Sequence, residues 1–245
     1  MKRRAILIGH IDGILSTNAD LDKVYSFLHS NRGGAWEHCE IIKRGNIPLA
    51  ELEAILSDTR KGAFDFALFY FSGHGEYVRG TSIELNPNGE EINERELSEL
   101  AVRQLNIFDC CRKLSERQLV KNSKSFAMDG LEESINARRA ICRKLYDNRN
   151  MSAAPQMMSL YACSVDEYAH DFGNGGVYTN YLIYEAKNVD TAYGLVSSIH
   201  AKASELTAAE ALLHGENQNP DYFMAKLPSR LQLVLSVNEN LNITK

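Results

Sequence analysis

Residues 64–76 read FDFALFYFSGHGE. The first nine are dominated by Phe, Ala, Leu and Tyr, with Asp65 the only charge, the pattern of a strand buried on both faces as in a parallel sheet. The run ends in Ser72-Gly73-His74-Gly75. A histidine between two glycines then sits at the carboxyl end of a buried strand, where open α/β sheets bind ligands. Glycine lets the backbone turn sharply there and lets a substrate approach. Alone, a strand-end histidine is more often a structural hydrogen-bonder than a catalyst. A second apolar run changes that balance: residues 104–108 (QLNIF) lead into Asp109-Cys110-Cys111-Arg112. Two buried strands thus deliver a histidine and a cysteine to the same kind of edge.

The 245 residues suffice for one large α/β domain or two small ones, and no clear boundary divides them. Hydrophobic content of 44% and charged content of 24% are ordinary for a soluble globular chain. Net charge is −5 and no basic stripe tracks along the sequence, which argues against nucleic acid as a partner. The apolar run at 5–9 is too short for a signal-peptide core and lacks a small-residue cleavage site, so it reads as the first strand. No run approaches a membrane span. Five cysteines (Cys39, Cys110, Cys111, Cys142, Cys163), an odd count with one adjacent pair, argue against a disulfide framework and for a reducing, cytoplasmic location. The absence of any CxxC pair leaves a structural zinc site little support.

In chain order, strands are expected at 4–9, 39–42, 64–72, 104–108, 157–163 and 222–224, with a weaker one at 231–237. Helices are expected at 20–31, from Pro48 through Leu56, at 93–100 behind an Asn93/Glu96 capping box, at 177–186, and across 191–213. Residues 77–85 read as a hairpin outside the main sheet. Strands alternating with helices predict a parallel, doubly wound sheet. Residues 113–156 break the pattern as a polar, basic linker, with one helical stretch near 131–146 whose apolar side is Ile135, Ile141 and Leu145.

A thiol attacks a carbonyl as thiolate, which a nearby imidazole supplies, and the tetrahedral intermediate needs amide donors aimed at its oxyanion. His74, Cys111 and the amides of Gly75 and Cys111 form such a set. Strand alternation puts Phe108 and Cys110 on one side and Asp109 and Cys111 on the other, so Cys110 packs inward and Cys111 lies nearer the crevice.

Strand-SGHG followed by strand-DCC resembles the caspase and metacaspase superfamily of cysteine peptidases, closest to its bacterial caspase-like (orthocaspase or metacaspase-like) members. The likeness extends from RAILIG through FYFSGHG, FDCC and YACSVDEYAHDFGNGGVYTNYL to ENQNPDYF. It implies a three-layer caspase-hemoglobinase-like α/β fold, with a mostly parallel sheet of about six strands flanked by helices. It implies one catalytic domain with a large-subunit-like half at 1–112, a linker at 113–156 and a small-subunit-like half at 157–245. It also implies His74 as general base, Cys111 as nucleophile, and a first pocket for Arg or Lys built from Asp20, Ser72 and Asp109. Two carboxylates near a partly dry pocket are costly unless a cation pairs with them, so a basic side chain completes such a site. Asp20 reads equally as a first-turn acid, and Asp166 is a further candidate. Where relatives often continue Cys-His-Ser-Gly, this chain has Cys111-Arg112-Lys113-Leu114.

The linker occupies the place where caspase-like proteins are cut into two subunits. Arg138, Arg139, Arg143, Lys144 and Arg149 are its candidate self-cleavage positions. No cofactor is called for. Many metacaspases need calcium, but no acidic loop has EF-hand-like spacing, and Glu90-Glu91 reads as solvated surface. The expected partner is a protein substrate with a basic residue before the cut, under the control of a partner protein, an activating ligand or self-cleavage. Bacterial relatives often serve as effectors in stress or antiviral responses. Two rivals stand beside the peptidase: a catalytically silent caspase-like binding module, and a doubly wound binding domain without thiol chemistry.

Overall fold

The computed structural model describes residues 1–13, 15–114 and 135–240. Strand β1 (Arg3–Gly9) is followed by α1 (Leu15–His29), β2 (Ile41–Gly45), α2 (Leu49–Lys61) and β3 (Phe64–Gly73). Short strands β4 (Gly75–Tyr77), β5 (Thr81–Glu84) and β6 (Glu91–Asn93) precede β7 (Ala101–Cys110) and β8 (Lys113–Leu114). Beyond the undescribed stretch come α3 (Ile135–Met151), β9 (Gln156–Tyr161), α4 (Val177–Lys187), β10 (Tyr193–Leu195), α5 (Val196–Leu213), β11 (Asp221–Phe223) and β12 (Val234–Val237).

The main sheet has six strands in the order β11-β9-β7-β3-β1-β2, and only β11 runs antiparallel to its neighbour. Alternation along β3 explains its unbroken apolar sequence. Phe66, Leu68 and Tyr70 pack on one side with Leu21, Val24 and Phe27 of α1 and the inner faces of α4 and α5. Ala67, Phe69 and Phe71 pack on the other with Leu52 and Leu56 of α2 and Ile83 of β5. Burial on both faces gives three layers, the architecture expected of the family the sequence resembles. No helix among the described residues is long and apolar enough to cross a membrane.

The hairpin expected at 77–85 is β4–β5, part of a second sheet ordered β6-β5-β4-β8. Its parallel β4–β8 pairing sets Glu76 beside Lys113, so the chain just past His74 is tied to the chain just past Cys111. Several boundaries differ from expectation. α1 begins at Leu15, because the polar Ser16-Thr17-Asn18 run forms its first turns instead of a loop. Residues 38–40 form a 3-10 turn and β2 starts at Ile41. The helix expected at 93–100 is one 3-10 turn (Glu94–Leu97), with the Asn93/Glu96 capping box intact. Residues 193–195 are a strand paired with β12, so helix α5 begins only at Val196.

The largest correction concerns 113–156. Residues 115–134 lie outside the described residues, but 135–151 are a core element. Tyr146 is fully buried, Cys142 nearly so, and both join the main cluster, whereas Ile141 is half-exposed. The helix turns a different face inward because its arginines are partnered. Arg143 donates to Glu40 and to the carbonyl of Ala35, and Arg139 to the carbonyls of His29 and Trp36. Arg3 of β1 completes the clamp. It is 2% exposed, lies 4.4 Å over the Trp36 ring, and donates to Asp147 at 2.8 Å, to Glu40 at 3.3 Å and to two carbonyls.

Removing one partner of a buried ionic network leaves charges uncompensated, at a cost of about 3–5 kcal/mol. Arg3→Ala is therefore expected to lose about that much stability in urea unfolding. Arg4→Ala, whose partner Asp58 is largely exposed, loses about 1 kcal/mol or less. Equal losses would contradict the clamp.

Candidate functional site

β3 and β7 pair in parallel through Ser72↔Asp109 and Gly73↔Cys110. One residue further along each strand are His74 and Cys111, so the register brings both to one end of the sheet, on strands about 4.8 Å apart. Gly73 has a φ of 147°, which releases the chain from β3, and a side chain there would meet the Cβ of His10 at 2.8 Å. A Cβ on Gly75 would lie 2.7 Å from the Cys110 Sγ and 3.0 Å from the Cys111 carbonyl oxygen, so this glycine is needed for close packing of the two segments. Gly75 faces Ile83 across β4–β5, and the Glu84 N–H donates to the His74 carbonyl at 3.0 Å. That makes Gly75–Ile83 a non-hydrogen-bonded pair, with the Gly75 N–H directed away from β5.

Strand parity separates the cysteines as expected. Cys110 is buried against the α2 side, and burial pushes its thiol pKa well up. Cys111 is partly exposed, and its thiol lies 3.8 Å from the carbonyl of Ala169. Burial raises the Cys111 pKa and lowers that of His74, to which the neighbouring His10 adds. In this resting arrangement the thiol keeps its proton and the imidazole stays neutral. One proton transfer between such groups gives a thiolate and an imidazolium.

Asp20, Ser72 and Asp109 converge on the α1/α4 side of the sheet. The Ser72 hydroxyl donates to Asp20 at 2.9 Å, and the Gly176 N–H donates to both Asp20 oxygens at 3.0 Å. Asp109 accepts from the Thr179 N–H at 3.1 Å and its hydroxyl at 2.6 Å, and Tyr70 hydrogen-bonds that same hydroxyl. Asp20 is 1% and Asp109 5% exposed. Gly175 and Gly176 cover them: a Cβ on Gly175 would come 2.2 Å from an Asp20 oxygen, and one on Gly176 2.2 Å from an Asp109 oxygen. The Lys23 ammonium sits at the edge of this cover, bonded to the carbonyl of Asn174 and to Asn180. Burial, reinforced by repulsion from Asp109, pushes Asp20 up to about 8, and burial pushes Asp109 up to about 6.

Asp166 does not join this pair. It is exposed, carries a φ of 68°, and binds Lys113 at 3.1 Å. The basic residues Arg138, Arg139, Arg143, Lys144 and Arg149 all lie on the regular helix α3, where Arg139 and Arg143 are engaged in the Arg3 clamp. Among the described residues, no three His, Cys, Asp or Glu side chains converge as a cation cage.

Three participants escaped the sequence reading. His10 is 4% exposed, its ring stands edge-on to His74 at 5.0 Å, and its Nδ1 is buried without a partner. It repeats the glycine–histidine, strand-end signature of Gly73-His74, which becomes informative once β1 and β3 are known to be neighbours. Gly176 and Thr179 lie in a GNGGVYT segment that reads only as a helix start.

A caspase-domain family model matches residues 2–232. No curated protein matches the chain. Among solved structures of similar fold, the crystal structure of caspase-1 from Spodoptera frugiperda aligns with a TM-score of 0.62. The alignment covers 98% of this chain and 93% of that one at 13% identity, a likeness of fold alone.

The acid pair has a signature in stability. A carboxyl with a raised folded-state pKa stabilises the fold fully below the unfolded value of about 3.9, and loses that contribution as pH rises through the folded value. Between about pH 4 and 8 the pair's own contribution therefore falls, so the wild type is expected to lose melting temperature relative to Asp20→Asn as pH rises through that range. Parallel melting profiles for the two proteins would contradict a buried, proton-holding pair.

Proposed function

The chain belongs to the caspase-domain family of cysteine peptidases, and we propose that it is an endopeptidase that cuts proteins after Arg or Lys. His74 takes the proton from the Cys111 Sγ, and the thiolate attacks the scissile carbonyl. The amides of Gly75 and Cys111 donate to the resulting oxyanion. Collapse expels the amine, which leaves with the proton held by His74. Water activated by His74 then hydrolyses the acyl-thioester and restores the thiol. The observation that carries the specificity is the convergence of Asp20, Ser72 and Asp109, with Asp109 two residues from the nucleophile and bound to the Asp20 side of the sheet. Two buried acids with raised pKa values are costly alone, and a guanidinium or ammonium offsets that cost.

The described conformation is closed, because Gly175 and Gly176 occupy the space a basic side chain needs. Catalysis on this reading requires residues 171–176 to swing off the acids, and a trigger supplied by a partner or ligand fits that requirement. Peptidase grooves take extended chain, so self-cutting at Arg138, Arg139, Arg143 or Lys144 requires α3 to unwind first. The Cys111-Arg112-Lys113-Leu114 run and the covered acids favour one rival, a catalytically silent binding module.

Fluorogenic peptides carrying Arg, Lys or Asp before the reporter, tested with and without calcium, separate these readings. Cleavage after Arg and Lys is expected, with kcat/KM lowered on the order of 10³-fold or more in Cys111→Ala. Asp109→Asn should lose roughly 10-fold or more on Arg without slowing the alkylation of Cys111, because the Asp109 charge is one of the causes that raise the thiol pKa. Cleavage after Asp would overturn the pocket, and silence throughout would favour the binding module.

A further inference from the structure

Beside Arg112, on the face of the main sheet opposite the acid pair, lies a cavity of about 460 Å³, within the range of small-molecule sites. Its wall is the uncovered end of the main sheet. Register places Asp221 opposite Tyr161 and Phe223 opposite Ser159, so Met157, Ser159, Tyr161, Asp221 and Phe223 share one face. Phe223 is 63% exposed and Met157 36%. The facing wall is the 3-10 turn that carries Glu94 and Arg95, and Tyr77 and Arg112 close one end.

The charges in this cavity are unevenly satisfied. Glu94 is spent, accepting from the Thr81 N–H at 2.8 Å and the Tyr161 hydroxyl at 2.6 Å. Arg112 is 4% exposed and stacks 3.9 Å over the Tyr161 ring. Its Nε donates to Thr81, and its Nη1 to the Cys163 carbonyl and to Asp221 at 3.2 Å, while its Nη2 has no acceptor among the described residues. Arg95 is exposed, and its side chain forms no ion pair or hydrogen bond among the described residues. A flat apolar surface of Phe223, Met157 and Tyr161 therefore lies beside two guanidiniums with unused donors. Aromatic faces and arginine forks together select a planar ring that carries an anion.

The geometry points to a binding site for a nucleoside phosphate, with the base laid against Phe223 and Tyr161 and the phosphate held between Arg95 and Arg112. Occupancy reaches the thiol directly, because Arg112 follows Cys111. The Arg112 N–H donates to the Glu167 carbonyl, and its own carbonyl accepts from the Asp166 N–H. Those two bonds hold the loop whose Ala169 carbonyl faces the Cys111 Sγ. A phosphate competing with Asp221 for Arg112 pulls on this frame. The site stands whether or not the chain is a peptidase.

Calorimetry with AMP, ADP, ATP and NAD, set against adenosine and inorganic phosphate as separate halves, tests the site. At least one nucleotide is expected to bind, with each half about tenfold weaker or worse. Arg95→Ala and Phe223→Ala, both at exposed positions, should each weaken binding about tenfold while leaving the melting temperature of the free protein unchanged. The bound nucleotide should also change the alkylation rate of Cys111 severalfold, and Arg95→Ala should abolish that change. No binding by any nucleotide at millimolar concentration overturns the proposal, as does binding unaffected by both substitutions. Phosphate alone binding as tightly as a nucleotide would reduce the site to a general anion cradle and overturn it. A nucleotide that binds without altering alkylation overturns the coupling to Cys111. Sedimentation showing β11 buried in a dimer that excludes nucleotide would assign the cavity to self-association.

Discussion

The in-register parallel pairing of β3 with β7 is the constraint on which the rest of the molecule depends. Because both strands are apolar on both faces, a slip of one residue would expel Phe69 or Phe108 from its layer, so the hydrophobic core fixes the register. That register sets three adjacent pairs of residues at the strand ends. The first is Ser72 beside Asp109, the second Gly73 beside Cys110, and the third brings in His74 and Cys111. The small sheet then fastens the two outgoing chains to each other through β4 and β8.

Parity converts this pairing into a division of labour. Asp109 and Ser72 point to the layer of α1 and α4, where Asp20 and Thr179 meet them, while Cys110 points to the layer of α2. The acids are thus built into the same layer that holds the largest cluster of apolar side chains. Their raised pKa values follow from burial, and the amides of Gly176 and Thr179 only partly offset it. A buried acid pair of this kind is under electrostatic tension.

The fold was legible wherever one physical rule governed a segment. Continuous apolar runs identified β1, β3 and β7, and helical spacing identified the bodies of α1 and α2. It was less legible at α3, where composition misled: Arg139, Arg143 and Asp147 look like solvated surface but are partnered inside the clamp around Arg3. Residues 193–195 were absorbed into a helix because a three-residue strand has no periodicity of its own. Within the site, His74, Cys111 and the parity of the two cysteines came from strand-end reasoning and resemblance. The covering of Asp20 and Asp109 did not, since it needs residues 20, 72, 109, 176 and 179 from separate parts of the chain to meet.

The Arg3 clamp also bears on what the covalent chain between Leu114 and Ile135 is needed for. Residues 1–114 hold four strands of the two-sided main sheet, and residues 135–240 add β9, β11, α4, α5 and the buried face of α3, so each piece supplies what the other lacks. The join is made by β7–β9 pairing and by ions from β1 and α3, none of which uses the intervening segment. The molecule is in this sense already a complex of two fragments, and its halves, supplied as separate polypeptides, carry the complementary surfaces needed to reconstitute one another.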